Sequence, residues 1–293
     1  MNKNVALVLS SGGARGIAHI GAIEELERQG YNITSISGTS MGALVGGVYA
    51  TGKLPEYKEW LSSLDKLDVF KMVDFTFSTS GLVKGDRIFN EMQKLVPDMK
   101  IEDLKIPFTA IATDIINKKE VIFSEGDLFE AIRASISIPS VFTPFQSNNS
   151  LLIDGGVLNP LPVNRVKRSE NDILVVVNVN AFIPGYKKNA KEPTEKNNGL
   201  MSSDLLKGIQ NKISEIIPKN QKEKIGYFNL ITETISLMLY QISELTLQYN
   251  QPDVLINVSR QACGNYDFYK AEKLIEVGRK ATIQGLKEFN TKY

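Results

Sequence analysis

Apolar positions along this chain follow two rhythms that alternate from end to end. Short apolar runs of strand length recur at Val5 to Leu9, Phe108 to Asp114, Leu151 to Ile153, Ile173 to Val179 and Val254 to Val258. Runs of this kind, bounded by Gly, Pro or Asn, predict strands buried on both faces. Val121-Ile122-Phe123 predicts a hairpin partner for the second of them. Between the runs the apolar residues take helical spacing. Ile17, Ile20, Ile23 and Leu26 share one face, and Gly30 ends that helix. Ala43, Leu44, Val45 and Val48 predict a helix over about 41–50, and Pro55 opens another with Tyr57, Trp60, Leu61 and Leu64. Ile88, Phe89, Met92 and Leu95 form a helix stopped by Pro97, and Leu128 to Ala134 forms a short one. Leu205, Ile209, Ile213, Ile216 and Ile217 mark an amphipathic helix, followed by longer ones over about 229–249 and 269–290. Residues 68–83, with Phe70, Phe75, Phe77 and Gly81 among Ser and Thr, predict a loop or cap, and 135–144 an apolar loop with two prolines. Strands alternating with helices predict an α/β fold around a mainly parallel sheet covered on both faces.

Composition narrows the function classes. The 293 residues carry a net charge of +1, without the basic excess of a nucleic-acid binder. The single Cys263 rules out an internal disulfide and fits a reducing compartment. The N-terminal apolar run is too short for a signal peptide, and no stretch of 18 apolar residues exists, so a cytoplasmic protein is expected. From Pro184 to about Gly199 the chain turns polar and lysine-rich, with Glu192 and Glu195 diluting the basic charge, and reads as a solvated insertion. No internal repeat and no domain boundary stand out.

Two glycine-rich turns carry candidate chemistry. Gly38-Thr39-Ser40-Met41-Gly42 spells G-x-S-x-G at a strand-to-helix junction. Small neighbours are needed there, because the serine is pushed out on strained backbone, and Gly38 and Gly42 supply them. The pattern alone recurs by chance in roughly one chain in ten of this length, so its context matters. A glycine-rich turn that merely contains a serine is the alternative. The second turn, Gly12-Gly13-Ala14-Arg15-Gly16, joins the first strand to the first helix. Ser11 breaks a dinucleotide fingerprint, and Arg15-Gly16-Ile17 lacks the ending of a P-loop. An oxyanion hole asks only for two or three convergent N–H groups, which Gly12, Gly13 and Ala14 offer. A tight turn with no ligand competes with that reading.

A serine hydroxyl needs a base. No histidine follows Ser40, so the order Ser, Asp or Glu, His is unavailable. His19 precedes the elbow, and a tucked imidazole beside the glycine loop is its simpler role. One His and one Cys, with no tight carboxylate cluster, give no metal ligand set. A carboxylate remains. Asp114 and Asp154 both end apolar strands, where such sheets place their chemistry. Asp154 is the better candidate, since Gly155 and Gly156 let another loop approach, although Asp-Gly is also an ordinary turn. Asp114 reads as the cap of a neighbouring loop.

Ser11-Gly12-Gly13-Ala14-Arg15-Gly16 with Ala18-His19, then Gly38-Thr39-Ser40-Met41-Gly42, then Ser137-Ile138-Pro139 and Asp154-Gly155-Gly156 with Asn159-Pro160-Leu161-Pro162, resembles the patatin-like phospholipase family. The resemblance is strong over about 5–168 and weak at the last strand and helix. It implies one patatin-like three-layer α/β/α domain over 1–293, with a motif-bearing core at 5–168. The part at 169–293 is then a variable helical region holding a polar insertion at about 184–200. It implies a Ser40–Asp154 dyad, an oxyanion hole at Gly12, Gly13 and Ala14, a loop supported by Arg15 and Gly16, and no cofactor. Lipid or acyl-ester substrates follow, with peripheral membrane contact; a catalytically weak lipid-binding or regulatory protein is the alternative. Ser11 departs from the family pattern, which often has glycine there. Ile138, Val141, Phe142 and the aromatics of 70–77 are candidates for an acyl pocket, with core packing as the competing role.

Overall fold

The computed structural model describes residues 3–72, 86–139, 142–147, 149–186, 227–264 and 266–291. Eight strands form one sheet: Asn4–Leu9 (β1), Asn32–Thr39 (β2), Phe108–Asp114 (β3), Lys119–Phe123 (β4), Phe145–Ser147 (β5), Ser150–Asp154 (β6), Ile173–Ala181 (β7) and Val254–Ser259 (β8). Their order is β5-β6-β3-β2-β1-β7-β8, with β4 also paired to β3. Neighbours from β3 through β8 are parallel, while β3–β4, β3–β6 and β5–β6 are antiparallel. The mixed α/β sheet is therefore mostly parallel, with an antiparallel edge.

The described helices are Ala18–Arg28 (α1), Met41–Ala50 (α2), Leu54–Ser63 (α3), Lys66–Met72 (α4), Asp86–Leu95 (α5), Leu128–Ser135 (α6), Tyr227–Tyr249 (α7) and Ala271–Asn290 (α8). Alternation along the strands sends side chains to two cores. Val5, Leu7 and Leu9 of β1 join Val175, Val177 and Val179 of β7 under α1, α2 and α8. Ala6 and Val8 join Leu174 and Val176 on the other face, covered by Leu161, Val163 and Val166 and by Leu247 of α7. That second layer rests largely on the segment around Leu161 to Val166, which holds only the short 3₁₀ turn Val163–Arg165. Pro160 and Pro162 fix φ and remove backbone donors there, which disfavours an α-helix.

The chain divides into two compact units, Met1–Tyr186 with Leu239–Tyr293 and Lys187–Met238. Of the second, the described part is Tyr227–Met238, the first turns of α7. The expected helix over 205–217 and most of the polar insertion lie outside the described residues. The expected loop at 68–83 begins instead inside α4. Asp65 starts that helix by accepting from the N–H groups of Leu67 and Asp68, each at 2.7 Å, so a capping carboxylate outweighs the mixed composition. The remainder of that loop, 73–83, is outside the described residues.

Candidate active site

Strand pairing brings two distant residues together. β4 takes one edge of β3 along residues 110–114, so β2 and β6 share the other edge. β2 runs up that edge until Thr39 lies opposite Ile111. β6 runs down it until Asp154 lies opposite Ala112. The two strand ends meet head to head, and Ser40 is the next residue after Thr39.

Ser40 turns the chain from β2 into α2 with φ 56° and ψ −122°, a sparsely populated conformation for a residue with a side chain. Its N–H donates to Ser135 Oγ at 2.8 Å, and that hydroxyl donates to the Ile111 carbonyl at 2.6 Å. Its own carbonyl accepts from the Leu44 N–H at 3.0 Å, closing the first turn of α2. The flanking glycines sit where backbone meets backbone. A Cβ on Gly38 would stand 2.4 Å from the Gly42 carbonyl oxygen, and one on Gly42 would stand 2.2 Å from that of Leu9.

The Ser40 side chain lies near the Asp154 carboxylate, close enough to oppose the rise that burial causes in its pKa. Asp154 is fixed on either side. Its N–H donates to the Ser137 carbonyl at 2.9 Å, and its Oδ1 accepts from the Gly156 N–H at 2.7 Å. Gly155 packs on β3 so closely that a Cβ would lie 2.1 Å from the Ile111 carbonyl oxygen. Ser40 is 3% exposed and Asp154 7%. Burial pushes the Asp154 carboxyl up to about 6, while Ser40 and the Gly156 N–H act in the opposite sense.

The glycine loop lies against the elbow. Gly12 is extended, Gly13 is left-handed at φ 53°, and the 3₁₀ turn Gly13–Ile17 runs on into α1. A Cβ on Gly16 would lie 2.2 Å from Met41 Cγ, so this turn touches the residue after Ser40. The first N–H groups of a helical turn have no acceptor within it, and this turn packs beside the elbow. Arg15 Nη2 donates to Asn180 Oδ1 at 3.0 Å, and Asn180 Nδ2 donates to the Ser11 carbonyl at 2.6 Å. Arg15 thereby ties the loop to the end of β7. Thr39 Oγ1 donates to the Asn159 carbonyl at 2.8 Å, which anchors the chain beyond Gly156 to the elbow.

His19 is tucked inside. It is fully buried, and its Nε2 donates to the Ser10 carbonyl at 2.8 Å. Burial holds its imidazole neutral, with its pKa lowered to about 4 despite that bond. Asp114 closes the β3–β4 turn. Bonds from the Asn117 side chain, Ser150 and nearby N–H groups hold its carboxyl far below the usual range, so it serves its own loop. Among the described residues no three His, Cys, Asp or Glu side chains gather as metal ligands. Phe142 is core, with its ring 4.9 Å from that of Phe89, and Ile138 packs against the same cluster. Val141 lies outside the described residues.

The site also uses residues that the sequence reading passed over. Ser135 holds the Ser40 N–H, Asn180 clamps the glycine loop, and Arg133 donates to Ser137 Oγ at 2.6 Å behind Asp154. A polar residue between apolar Ala134 and Ile136, and an asparagine closing a valine-rich strand, were the available signals.

A family model described as patatin-like phospholipase matches residues 7–166. An uncharacterized NTE family protein of Mycobacterium tuberculosis is 33% identical over 333 aligned positions, covering 98% of this chain and 92% of that protein. Lysophospholipase NTE1 of Saccharomyces cerevisiae is 32% identical over 183 positions, covering 60% of this chain and 11% of the yeast protein. Among solved structures, VipD from Legionella pneumophila aligns with a TM-score of 0.49 at 14% identity, covering 98% of this chain and 67% of that one. With more than half of its length matched by the family model and a relative aligned along nearly all of it, this chain belongs to the patatin-like phospholipase family, hydrolases that act on lipid esters.

Proposed function

We propose that this protein cleaves the carboxylic ester bonds of lipids, as a phospholipase A or lysophospholipase does, with Ser40 as nucleophile and Asp154 as base. The observation that carries the reading is the meeting of two strand ends on one edge of β3, which brings Ser40 beside the buried Asp154 carboxylate, whose pKa burial pushes up to about 6. A base works best when its pKa lies near the working pH and it is still ionised there. Asp154 takes the Ser40 proton as Oγ attacks the ester carbonyl. N–H groups of Gly12, Gly13 and Ala14 receive the oxyanion, and loss of one such donor typically costs about 3 kcal/mol. Asp154 then hands the proton to the departing alcohol, leaving an acyl-Ser40. In the second half Asp154 takes a proton from water, the hydroxide attacks the acyl carbon, and the proton returns to Ser40. Arg15 and Gly16 keep the loop in place; Gly38, Gly42, Gly155 and Gly156 let the segments approach. We read residues 1–293 as one patatin-like domain acting on lipid at a membrane surface that it touches peripherally. No helix among the described residues is long and apolar enough to cross a membrane.

The test is turnover of a short p-nitrophenyl ester together with labelling by a fluorophosphonate. Ser40→Ala abolishes both, and Asp154→Asn lowers turnover by at least about a thousandfold while the fold persists. Near wild-type turnover in either folded variant sinks the dyad.

A further inference from the structure

The glycine loop opens on a hydroxyl with nothing to bond. Ser11 is 3% exposed, and its Oγ meets no hydrogen-bond partner among the described residues. Its backbone is held from two sides, with the N–H donating to the Pro160 carbonyl at 2.9 Å and the carbonyl accepting from Asn180 Nδ2 at 2.6 Å. The side chain is therefore kept against Gly156. A Cβ there would lie 3.2 Å from Ser11 Oγ and 2.9 Å from Asp154 Oδ1. An unsatisfied donor and the carboxylate thus both lie beside the position that Gly156 leaves without a Cβ. An ionised carboxyl offers about four acceptor sites, and on Asp154 the Gly156 N–H fills one while the Ser40 side chain lies near another.

The charged groups around Asp154 are directed elsewhere. On α6, Arg133 donates to Ser137 Oγ and the Thr143 carbonyl. On the glycine loop Arg15 donates to Asn180, and on β3 Asp114 closes its own turn. On α1 the neutral His19 bonds the Ser10 carbonyl. Among the described residues with an unpartnered buried hydroxyl, Ser11 is the one placed across Gly156 from Asp154.

We propose that Ser11 is a positioning residue of the dyad: by rotating about its Cα–Cβ bond, its hydroxyl donates to Asp154 across the gap at Gly156 and keeps the carboxylate ionised and aimed at Ser40. The inference rests on the Ser40–Asp154 reading. A buried hydroxyl left unmatched is costly, so the rotation toward an anion is favoured, and the bond stabilises the charged form over the neutral one. It is strongest while Asp154 is the waiting base and weakest once Asp154 carries the proton, which helps release that proton to the leaving alcohol.

The experiment is the pH dependence of kcat and of kcat/KM on a short p-nitrophenyl ester for wild type, Ser11→Ala, Ser11→Gly and Asp154→Asn. Without the hydroxyl the acid limb should move to higher pH by roughly half to one unit, with the loss below pH 6 falling on kcat rather than on KM. A limb that stays in place or moves to lower pH, in either Ser11 variant with native circular dichroism, overturns the proposal. If one variant fails to fold, the other carries the test. An inactive Asp154→Asn beside an unmoved Ser11 limb removes only the role of Ser11. An active Asp154→Asn removes the dyad itself, and this inference with it.

Discussion

Asp154 and His19 are both buried, and their titrations act on stability in opposite directions. The Asp154 carboxyl rises from the ordinary 3.8 to about 6 in the folded chain. Between those values the folded protein holds a proton that the unfolded chain has released, so this contribution is full below about pH 4 and lost as pH rises through about 6. His19 falls from 6.5 to about 4. Its contribution is full above pH 6.5 and is lost as pH falls through about 4. The two nearly offset each other on mild acidification. Asp154→Asn should remove one side of that balance. At pH 7.5 urea denaturation should report a gain of order 1–3 kcal/mol, because an ionised buried group has been replaced by a neutral one. At pH 4 the gain should vanish, and the variant should lose stability on acidification more steeply than wild type. Since the chain has one histidine, its ring carbons give a single NMR titration. That ring should stay neutral down to about pH 4; an ordinary midpoint near 6.5 would mean that the imidazole is not sealed inside.

At the scale of elements, the elbow depends on the end of α6. Ser135 accepts from the Ser40 N–H and donates its hydroxyl to the Ile111 carbonyl, linking Ser40, α6 and β3. Ser135→Ala leaves that N–H buried without an acceptor, at a cost of about 1–3 kcal/mol. The strained φ at Ser40 is then less firmly held. Turnover should fall about tenfold to a hundredfold through kcat with KM nearly unchanged, read by steady-state kinetics with the p-nitrophenyl ester. An unchanged kcat would show that the Ser135 bond does not set the nucleophile. Most of these elements could be read from the chain because strand and helix periods are local. β1, β3, β6, β7 and β8 show as apolar runs, and α1, α2 and α8 as faces. The β5–β6 hairpin was missed because β5 is only three residues long, with two of them polar, so it has no period to detect. Helix α4 was missed because a single cap at Asp65, rather than an apolar stripe, starts it.

Across the molecule, the last helix supports the first. α1 and α8 approach so closely that a Cβ on Gly278 would lie 1.9 Å from the Ala18 carbonyl oxygen, and one on Gly21 would lie 1.8 Å from that of Ile275. Arg279 Nη2 adds a bond to Glu24 at 2.8 Å. α1 begins directly after the glycine loop and carries His19, so the distant C-terminal helix helps hold the loop. Gly278→Ala forces backbone apart rather than a flexible side-chain tip. It should destabilise the protein by about 2–4 kcal/mol, read as a lowered Tm, and slow fluorophosphonate labelling of the fraction that stays folded. Labelling at the wild-type rate would mean that the loop is independent of this contact.

Residue order alone yields the two glycine turns, a serine at a strand-to-helix junction, an aspartate before a glycine pair, and a single imidazole on the wrong side of the elbow. These are local or compositional facts that need no fold. Only the folded chain decides that Ser40 and Asp154 come together. β4 claims one edge of β3, so β2 and β6 must share the other and end against each other. The same holds for Ser135 and Asn180. Each is an ordinary polar residue in sequence, and its role comes from which buried donor or acceptor lies beside it after distant strands have paired.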